Sequence, residues 1–249
     1  MNNANDSYAL WKKEEQASFS GWDFSYIRSR FKEEKPSWDY IEEAKKLVKS
    51  ATAVLDMGTG GGENFSKFGP FPKHAIATEG WPPNVPLARK KLEPLGVKIV
   101  AVDESEKLPF KNEEFDLVLN RHSGFDRKEI FRILQKDGIF FTQQVSGNNL
   151  QDLIEEFRRD TQFKEWNAEK ERGRLEKIGF RVEIAEDWKG KEEFKDVGAI
   201  VYFLKAIPWT VKDFSVDAYL PTLKKLQKRV DSGEKLIFEE ARFLIKARK

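Results

Sequence analysis

The chain has 249 residues, of which 39% are hydrophobic and 35% are charged, a mixture typical of globular proteins. Its 44 Lys and Arg residues almost balance its 42 Asp and Glu residues, so the composition gives no broad basic surface of the kind that favours nucleic acid. The absence of cysteine excludes disulfides, thiolate metal sites and a cysteine nucleophile.

Two further features bear on location and on metal binding. The first residues, MNNANDSYALWKKEEQ, are polar, and the longest apolar run, VGAIVYFL, is far too short to span a bilayer. We therefore expect a cytoplasmic protein that makes no membrane contact. His74 and His122 are the only histidines, too few for a histidine-built metal centre, so no metal is expected.

The first fifty residues are rich in aromatic side chains. Nine of the first forty residues are aromatic, whereas the whole chain is 13% aromatic. A helix predicted over residues 37–49 leads into the first strand of the fold. Two interpretations of this segment stay open: a helical layer that packs onto a sheet, or a lid that closes over a ligand pocket.

Residues 53–146 alternate short β-rich runs with helical runs. The predicted strands are TAVLDM, HAIATEG, VKIVAVD, FDLVLNRH and GIFFTQQVS, and helices are predicted near residues 85–95 and 126–135. The strands lack strict polar alternation, as expected of strands that are covered on both faces. We therefore predict an α/β, Rossmann-like fold built on a doubly wound, mainly parallel sheet of seven strands.

The regular alternation of short strands and helices changes after Ser146. NNLQDLIEEFRRD and NAEKERGRLEKIGF read as helices, and RVEIAEDWKG reads as a strand. The apolar residues of DVGAIVYFLKAIPW fall at helical spacing, and Pro208 would end that helix. A helix over residues 215–230 and a closing strand in KLIFEEARFLIKARK complete the prediction, and we expect this last strand to be antiparallel.

The segment AVLDMGTGGGENF, residues 53–65, is the strongest local signal. A phosphate-binding P-loop requires Gly-Lys-Ser/Thr after its glycines, and the chain has GGGEN instead. The dinucleotide fingerprint requires a glycine where this chain has Glu63. Asp56 and Glu63 would also repel a pyrophosphate. The usual nucleotide loops are therefore disfavoured.

The spacing Asp56-x-Gly58-x-Gly60-x-Gly62 resembles motif I of the class I S-adenosylmethionine (SAM) dependent methyltransferases. SAM carries a sulfonium and an ammonium group and no phosphate, so an acid beside exposed backbone suits it. The resemblance implies that Asp56, Gly58, Thr59 and Gly60 contact SAM as the cofactor.

Two later segments extend the resemblance. HAIATEG ends in Glu79 and Gly80, and in this family an acid at the tip of the second strand binds the ribose of SAM. VDESEKLPFKNEEFDLVLNRH resembles the family pattern in which an acid near Leu-Pro-Phe binds the adenine amino group. Counting back from LPF places Glu104 and Ser105 there, whereas counting from the strand end favours Asp103.

The end of the fourth strand of this segment reads Asn120-Arg121-His122-Ser123. We assign Asn120 to the cofactor site, and His122 is the candidate catalytic base because its ordinary pKa of about 6.5 suits proton transfer. A purely structural role for His122 is the alternative. The Asn/Asp-Pro-Pro-aromatic motif of enzymes that methylate adenine amines or glutamine is absent here, which disfavours those acceptors.

The resemblance has specific motifs over about residues 50–147. It implies one methyltransferase domain over residues 1–249, with a lid (1–50), a SAM-binding core (51–147) and a C-terminal half (148–249). Trp209, Phe214 and Tyr219 of that half either line a substrate pocket or pack in the core. The expected reaction is methyl transfer to a small molecule by direct displacement. RNA or protein methylation, and binding without catalysis, are the alternatives.

Overall fold

The computed structural model describes residues 4–19, 23–102, 107–160 and 163–249. The helices of these ranges are α1 (Ala4–Gln16), α2 (Tyr40–Ser50), α3 (Val85–Leu92), α4 (Arg127–Ile133), α5 (Gln151–Glu156), α6 (Ala168–Glu176), α7 (Val197–Ala206) and α8 (Leu220–Asp231). The strands are β1 (Phe31–Glu33), β2 (Ala53–Met57), β3 (His74–Glu79), β4 (Lys98–Ala101), β5 (Phe115–Arg121), β6 (Leu134–Val145), β7 (Arg181–Phe194) and β8 (Leu236–Arg248). Within the described ranges, no helix combines the length and apolar composition needed to cross a membrane.

The strands form one mixed sheet in the order β1-β7-β8-β6-β5-β2-β3-β4. The β4-β3-β2-β5-β6 pairs are parallel, and β8 is antiparallel to β6. The predicted class, a mainly parallel α/β sheet closed by an antiparallel strand, is confirmed. The described sheet has eight strands rather than seven, because three residues from Phe31 pair with the end of β7. A strand this short has no readable period in the sequence.

The chain divides into two compact units. Unit 1 comprises Met1–Pro36, Gly147–Lys164 and Lys189–Ala241, and unit 2 comprises Ser37–Ser146, Glu165–Trp188 and Arg242–Lys249. Since β7 and β8 each have residues in both ranges, the units do not follow a single cut along the chain. The division also separates Phe31, in unit 1, from Trp38 and Tyr40, in unit 2.

Unit 1 is organised around α7. Nine residues of this ten-residue helix are buried, so it is apolar on every face, and Asp196 caps its first turn by accepting from the Ala199 backbone N–H at 2.8 Å. N-terminal aromatic rings pack on it: Phe24 and Phe31 lie 5.6 and 5.5 Å from the Phe203 ring, centroid to centroid. Within unit 1 these aromatic residues are therefore part of a core.

Unit 2 contains the parallel strands, with apolar clusters on both sheet faces. One cluster includes Val54, Leu117 and Leu119, and the other includes Leu55 and Val118. All five residues of β2 are buried. Helix α2 begins where Asp39 accepts a hydrogen bond from the Glu42 backbone N–H at 3.0 Å. The apolar, non-alternating strands of the sequence are thus covered on both sides, as predicted.

Several helix boundaries differ from the sequence prediction; the helix predicted near residues 126–135, for example, ends at Ile133, and residues 134–135 begin β6. Helix α8 begins at Leu220, five residues after the predicted start at Ser215. The intervening residues form a turn in which Val216 is buried and donates its backbone N–H to Glu15 at 2.8 Å. Pro221 occupies the first turn of α8, where its missing N–H costs little.

Candidate functional site

Polar residues collect in unit 2 where β2, β3 and β5 end. Met57 pairs with Asn120 across β2 and β5, and Asp56 pairs with Ala77 of β3, two residues before Glu79. Parallel strands place their carboxyl ends at one edge of a sheet, and that edge is where open α/β folds bind ligands. The register therefore brings Asp56, Glu79 and Asn120 to the same edge.

The turn after β2 needs its glycines. Gly58 and Gly60 have φ angles of +64° and +65°, which L side chains rarely adopt. A Cβ on Gly58 would also overlap the Ser123 side chain, which follows β5. The Thr59 backbone N–H donates to the Thr78 carbonyl at 2.9 Å, so the turn is fixed against β3. The result is a turn held in place between two strand ends, with the backbone N–H groups of Gly58, Thr59 and Gly60 all bonded to residues of β3.

Glu79 joins the loops that follow β2 and β3. Its side chain is 6% exposed, and its two oxygens accept from the Gly60 backbone N–H at 2.6 Å and the Trp81 backbone N–H at 2.7 Å. A carboxylate has about four lone-pair positions, so the two oxygens can serve several donors at once. The Trp81 side chain is 64% exposed beside it, an unusual position for so large an apolar ring.

Asp56 is a buried acid at the end of β2, 7% exposed. Burial raises its pKa to about 7; the nearby Thr59 hydroxyl and the positive charge of Arg121 oppose that rise, and the negative charge of Glu79 adds to it. An acid in this state titrates near neutral pH. Positive charge placed beside it would favour its ionised form.

Asn120 lies at the centre of a buried polar network. Its Oδ1 accepts from the Thr142 hydroxyl at 3.1 Å and from the Gln144 amide, and Tyr40 donates its hydroxyl to the Asn120 carbonyl at 3.3 Å. Asn120 is fully buried, yet its Nδ2 has no hydrogen-bond partner within the described ranges. An unsatisfied buried amide donor is costly, and a ligand that accepts from it would remove that cost.

His122 follows β5 with a φ of +59°. Its backbone N–H donates to the Gln143 carbonyl at 2.9 Å, and its ring Nε2 lies 3.0 Å from the Gln143 Nε2. Burial, with the positive charges of Arg121 and Arg242, holds the pKa of His122 well below its ordinary value. The imidazole is therefore neutral at physiological pH.

The sequence of this unit matches a known family. Residues 55–142 match the family model described as a methyltransferase domain. This match covers about a third of the chain and identifies residues 55–142 as a methyltransferase domain. The match spans the glycine turn, Glu79, Asn120 and His122, so the family and the site geometry concern the same residues. The class I methyltransferase resemblance seen in the sequence is confirmed at the level of domain family and fold.

Solved structures show the same fold. A candidate methyltransferase from Bacillus halodurans is 23% identical, with a TM-score of 0.59 over 84% of this chain and 98% of its own. The YcgJ protein of Bacillus subtilis is 14% identical, with a TM-score of 0.57 over 84% and 97%. A protein whose solved structure concerns the conversion of a disulfide bond into a thioacetal group during echinomycin biosynthesis is 13% identical, with a TM-score of 0.55 over 99% of this chain and 92% of its own. No curated protein sequence gives a significant match.

The predicted site residues that the structure describes lie in the methyltransferase domain, at the edge of the sheet where the parallel strands end. Gly58, Thr59, Gly60 and Gly80 lie in the two loops that Glu79 joins. Asp103, Glu104 and Ser105, the predicted adenine contacts, lie outside the described residues. Strand register places Asp56, Glu79 and Asn120 at the same edge of the sheet, as the sequence led us to expect.

Three residues at the predicted substrate side belong to unit 1. The rings of Phe214 and Tyr219 lie 5.7 and 5.3 Å from Phe157, centroid to centroid, and Phe214 is buried. Trp209 is 62% exposed. Phe214 and Tyr219 therefore pack within their own unit.

Sequence reasoning missed part of the methyltransferase site. Trp38, Gln143 and Gln144 all enter its polar network, and Gln143 and Gln144 are 5% and 4% exposed. The available signal was the run Thr-Gln-Gln in the otherwise apolar strand GIFFTQQV. Three successive polar residues in a strand that is buried on both faces require partners, and here they find them.

Proposed function

We propose that this methyltransferase domain binds SAM where β2, β3 and β5 end, and that it moves the methyl group to a small-molecule acceptor by direct displacement. The observation that carries this proposal is the pair of buried carboxylates, Asp56 and Glu79, on adjacent parallel strands around the glycine turn. Each of the two acids is at most 7% exposed, and the pKa of Asp56 is raised to about 7.

A cationic ligand fits this pair better than an anionic one. Burial penalises the ionised form of Asp56, and the charge of Glu79 adds to the penalty. A ligand bearing an ammonium or sulfonium group would offset both effects. A pyrophosphate would instead add negative charge beside two acids. The same reasoning separates SAM from a nicotinamide dinucleotide.

The residues present can divide the binding of SAM among them. Asp56 and the peptide carbonyls of Gly58–Gly60 suit the ammonium of the amino-acid portion, and the Glu79 carboxylate suits ribose hydroxyls. The unsatisfied Nδ2 of Asn120 can donate to an acceptor atom of the ligand. When bound, SAM would supply an electrophilic methyl group. The protein's part is to hold the acceptor in line with it, an effect that can be worth about 7–11 kcal/mol.

A small-molecule acceptor is favoured by the balance of charge. With 44 basic and 42 acidic residues, the chain has no large excess of positive charge for a polyanion such as RNA. The absence of the Asn/Asp-Pro-Pro-aromatic motif after β5 disfavours exocyclic amine and glutamine acceptors. The cysteine-free composition suits a cytoplasmic setting.

Two experiments test this function. Isothermal calorimetry should detect binding of SAM and of S-adenosylhomocysteine and no binding of NADH. Incubation with methyl-labelled SAM and fractionated cell extract should place label in the metabolite fraction. Label in RNA or protein would replace the proposed acceptor class, and binding without labelling of any fraction would leave a SAM-binding protein without catalysis. No binding of SAM would overturn the proposal.

A further inference from the structure

A chain of hydrogen bonds runs from Trp38 through Gln143 to His122, all within unit 2. The Trp38 indole Nε1 donates to the Gln143 Oε1 at 2.8 Å, and the Gln143 Nε2 lies 3.0 Å from the His122 Nε2. Gln143 is 5% exposed, so water competes little for its amide. The orientation of each of the three side chains therefore depends on the other two.

The chemistry of this chain leaves one arrangement of protons. An indole N–H is only a donor, so the Gln143 atom that faces it must be the amide oxygen. The atom that faces His122 is then the amide NH2, which can only donate. The His122 Nε2 must accept this hydrogen bond and carries no proton. In a neutral imidazole the single proton then lies on Nδ1.

This arrangement decides what His122 can do. A general base must offer a lone pair, and the only lone pair of this imidazole is on Nε2, which Gln143 occupies. Protonation of Nε2 would place an N–H against the Gln143 NH2, donor against donor. The ring nitrogen left to face a ligand is Nδ1, which carries a hydrogen and makes no hydrogen bond within the described ranges.

We propose that Trp38 and Gln143 are positioning residues that fix His122 in the Nδ1–H tautomer, so that His122 donates a hydrogen bond to an oxygen of the methyl acceptor and does not take its proton. This role of His122 as a hydrogen-bond donor differs from the catalytic base expected from the sequence. Its contact with the methyl acceptor rests on the proposed function.

The tautomer is measurable without substrate. Imidazole nitrogens with and without a proton differ in ¹⁵N chemical shift, and a His74→Gln background leaves His122 as the single histidine. We expect a protonated Nδ1 and a bare Nε2. In a Gln143→Glu variant the carboxylate accepts from both neighbours, so the proton should move to Nε2. Gln135→Glu, on the same strand, is the matched control and should leave the tautomer unchanged.

A second variant covers the case in which Gln143→Glu does not fold. Trp38→Phe removes the donor that orients the Gln143 amide, so both tautomers of His122 should become populated. A proton on Nε2 in the unaltered protein would overturn the proposal. So would an unchanged tautomer in both the Gln143→Glu and Trp38→Phe variants.

Substitution of His122 tests its contact with the acceptor. Asparagine keeps an N–H near the position of Nδ1, whereas glutamine places its amide near Nε2. With methyl-labelled SAM and fractionated extract, His122→Asn should keep most of the labelling rate, and His122→Gln and His122→Ala should lose tenfold or more. Equal losses in all three would overturn the donor role. If the unaltered protein labels nothing, the proposed function and this substrate contact both fail, while the tautomer is judged by NMR alone.

Discussion

The Glu79 carboxylate accepts the Gly60 backbone N–H at 2.6 Å and so ties the end of β3 to the glycine turn that follows β2. Its second oxygen holds the Trp81 backbone N–H at 2.7 Å. One buried acid thereby organises both loops of the candidate SAM site. In the proposed function the same acid also binds the ribose of SAM, so loop geometry and ligand binding would both depend on a single side chain.

Glu79→Ala should weaken SAM binding by tenfold or more and also destabilise the protein. The substitution leaves two backbone N–H groups without their acceptor, at a cost of about 1–3 kcal/mol each where they stay buried. Calorimetry with SAM and urea denaturation measure the two effects. The matched control is Glu63→Gln in the same glycine-rich segment, since its side chain is 42% exposed and makes only a 3.8 Å ion pair with Lys91. Equal SAM affinity in Glu79→Ala and the control would contradict the assignment.

The pKa of Asp56 makes a prediction about pH. Its folded-state pKa of about 7 lies above the ordinary 3.8, so the protonated acid stabilises the ligand-free fold. That contribution is complete below the ordinary pKa and is lost as the pH rises through about 7. A cationic ligand needs the ionised acid, so SAM affinity should rise about tenfold or more between pH 5.5 and 7.5.

Asp56→Asn is the control for this titration. The amide keeps the shape of the side chain and removes the charge, so SAM should bind more weakly and with a flat pH profile over the same range. Thermal shift by SAM, measured at each pH, should follow the same pattern. A pH profile that is the same in the unaltered protein and in Asp56→Asn would show that another group is responsible.

Much of this arrangement can be predicted from the sequence. Particular residues show which contacts cannot. The apolar run that ends at Asp56 and the run that ends at Glu79 predicted parallel strands, and parallel strands bring their ends together. The contact between Trp38 and Gln143 joins residues 105 positions apart. Neither residue has a local pattern that names its partner, so only the folded structure shows the polar chain to His122.

Gly58→Ala tests the geometry of the turn. Its φ of +64° costs a residue with a Cβ about 1–2 kcal/mol, and the added methyl would overlap the Ser123 side chain. We expect a loss of SAM affinity together with a lower free energy of unfolding, measured by calorimetry and urea denaturation. Gly124→Ala is the matched control, because a Cβ there meets nothing within 4 Å. A Gly58→Ala variant as stable and as tight-binding as Gly124→Ala would contradict the described turn.

The most direct test of SAM binding at this edge is a crystal structure grown with S-adenosylhomocysteine, the demethylated form of SAM. We expect ligand density against the peptide groups of Gly58–Gly60, with its amino group beside Asp56 and its ribose hydroxyls within hydrogen-bond distance of Glu79. Ligand density elsewhere on the molecule, or an empty strand-end edge at saturating ligand, would contradict it.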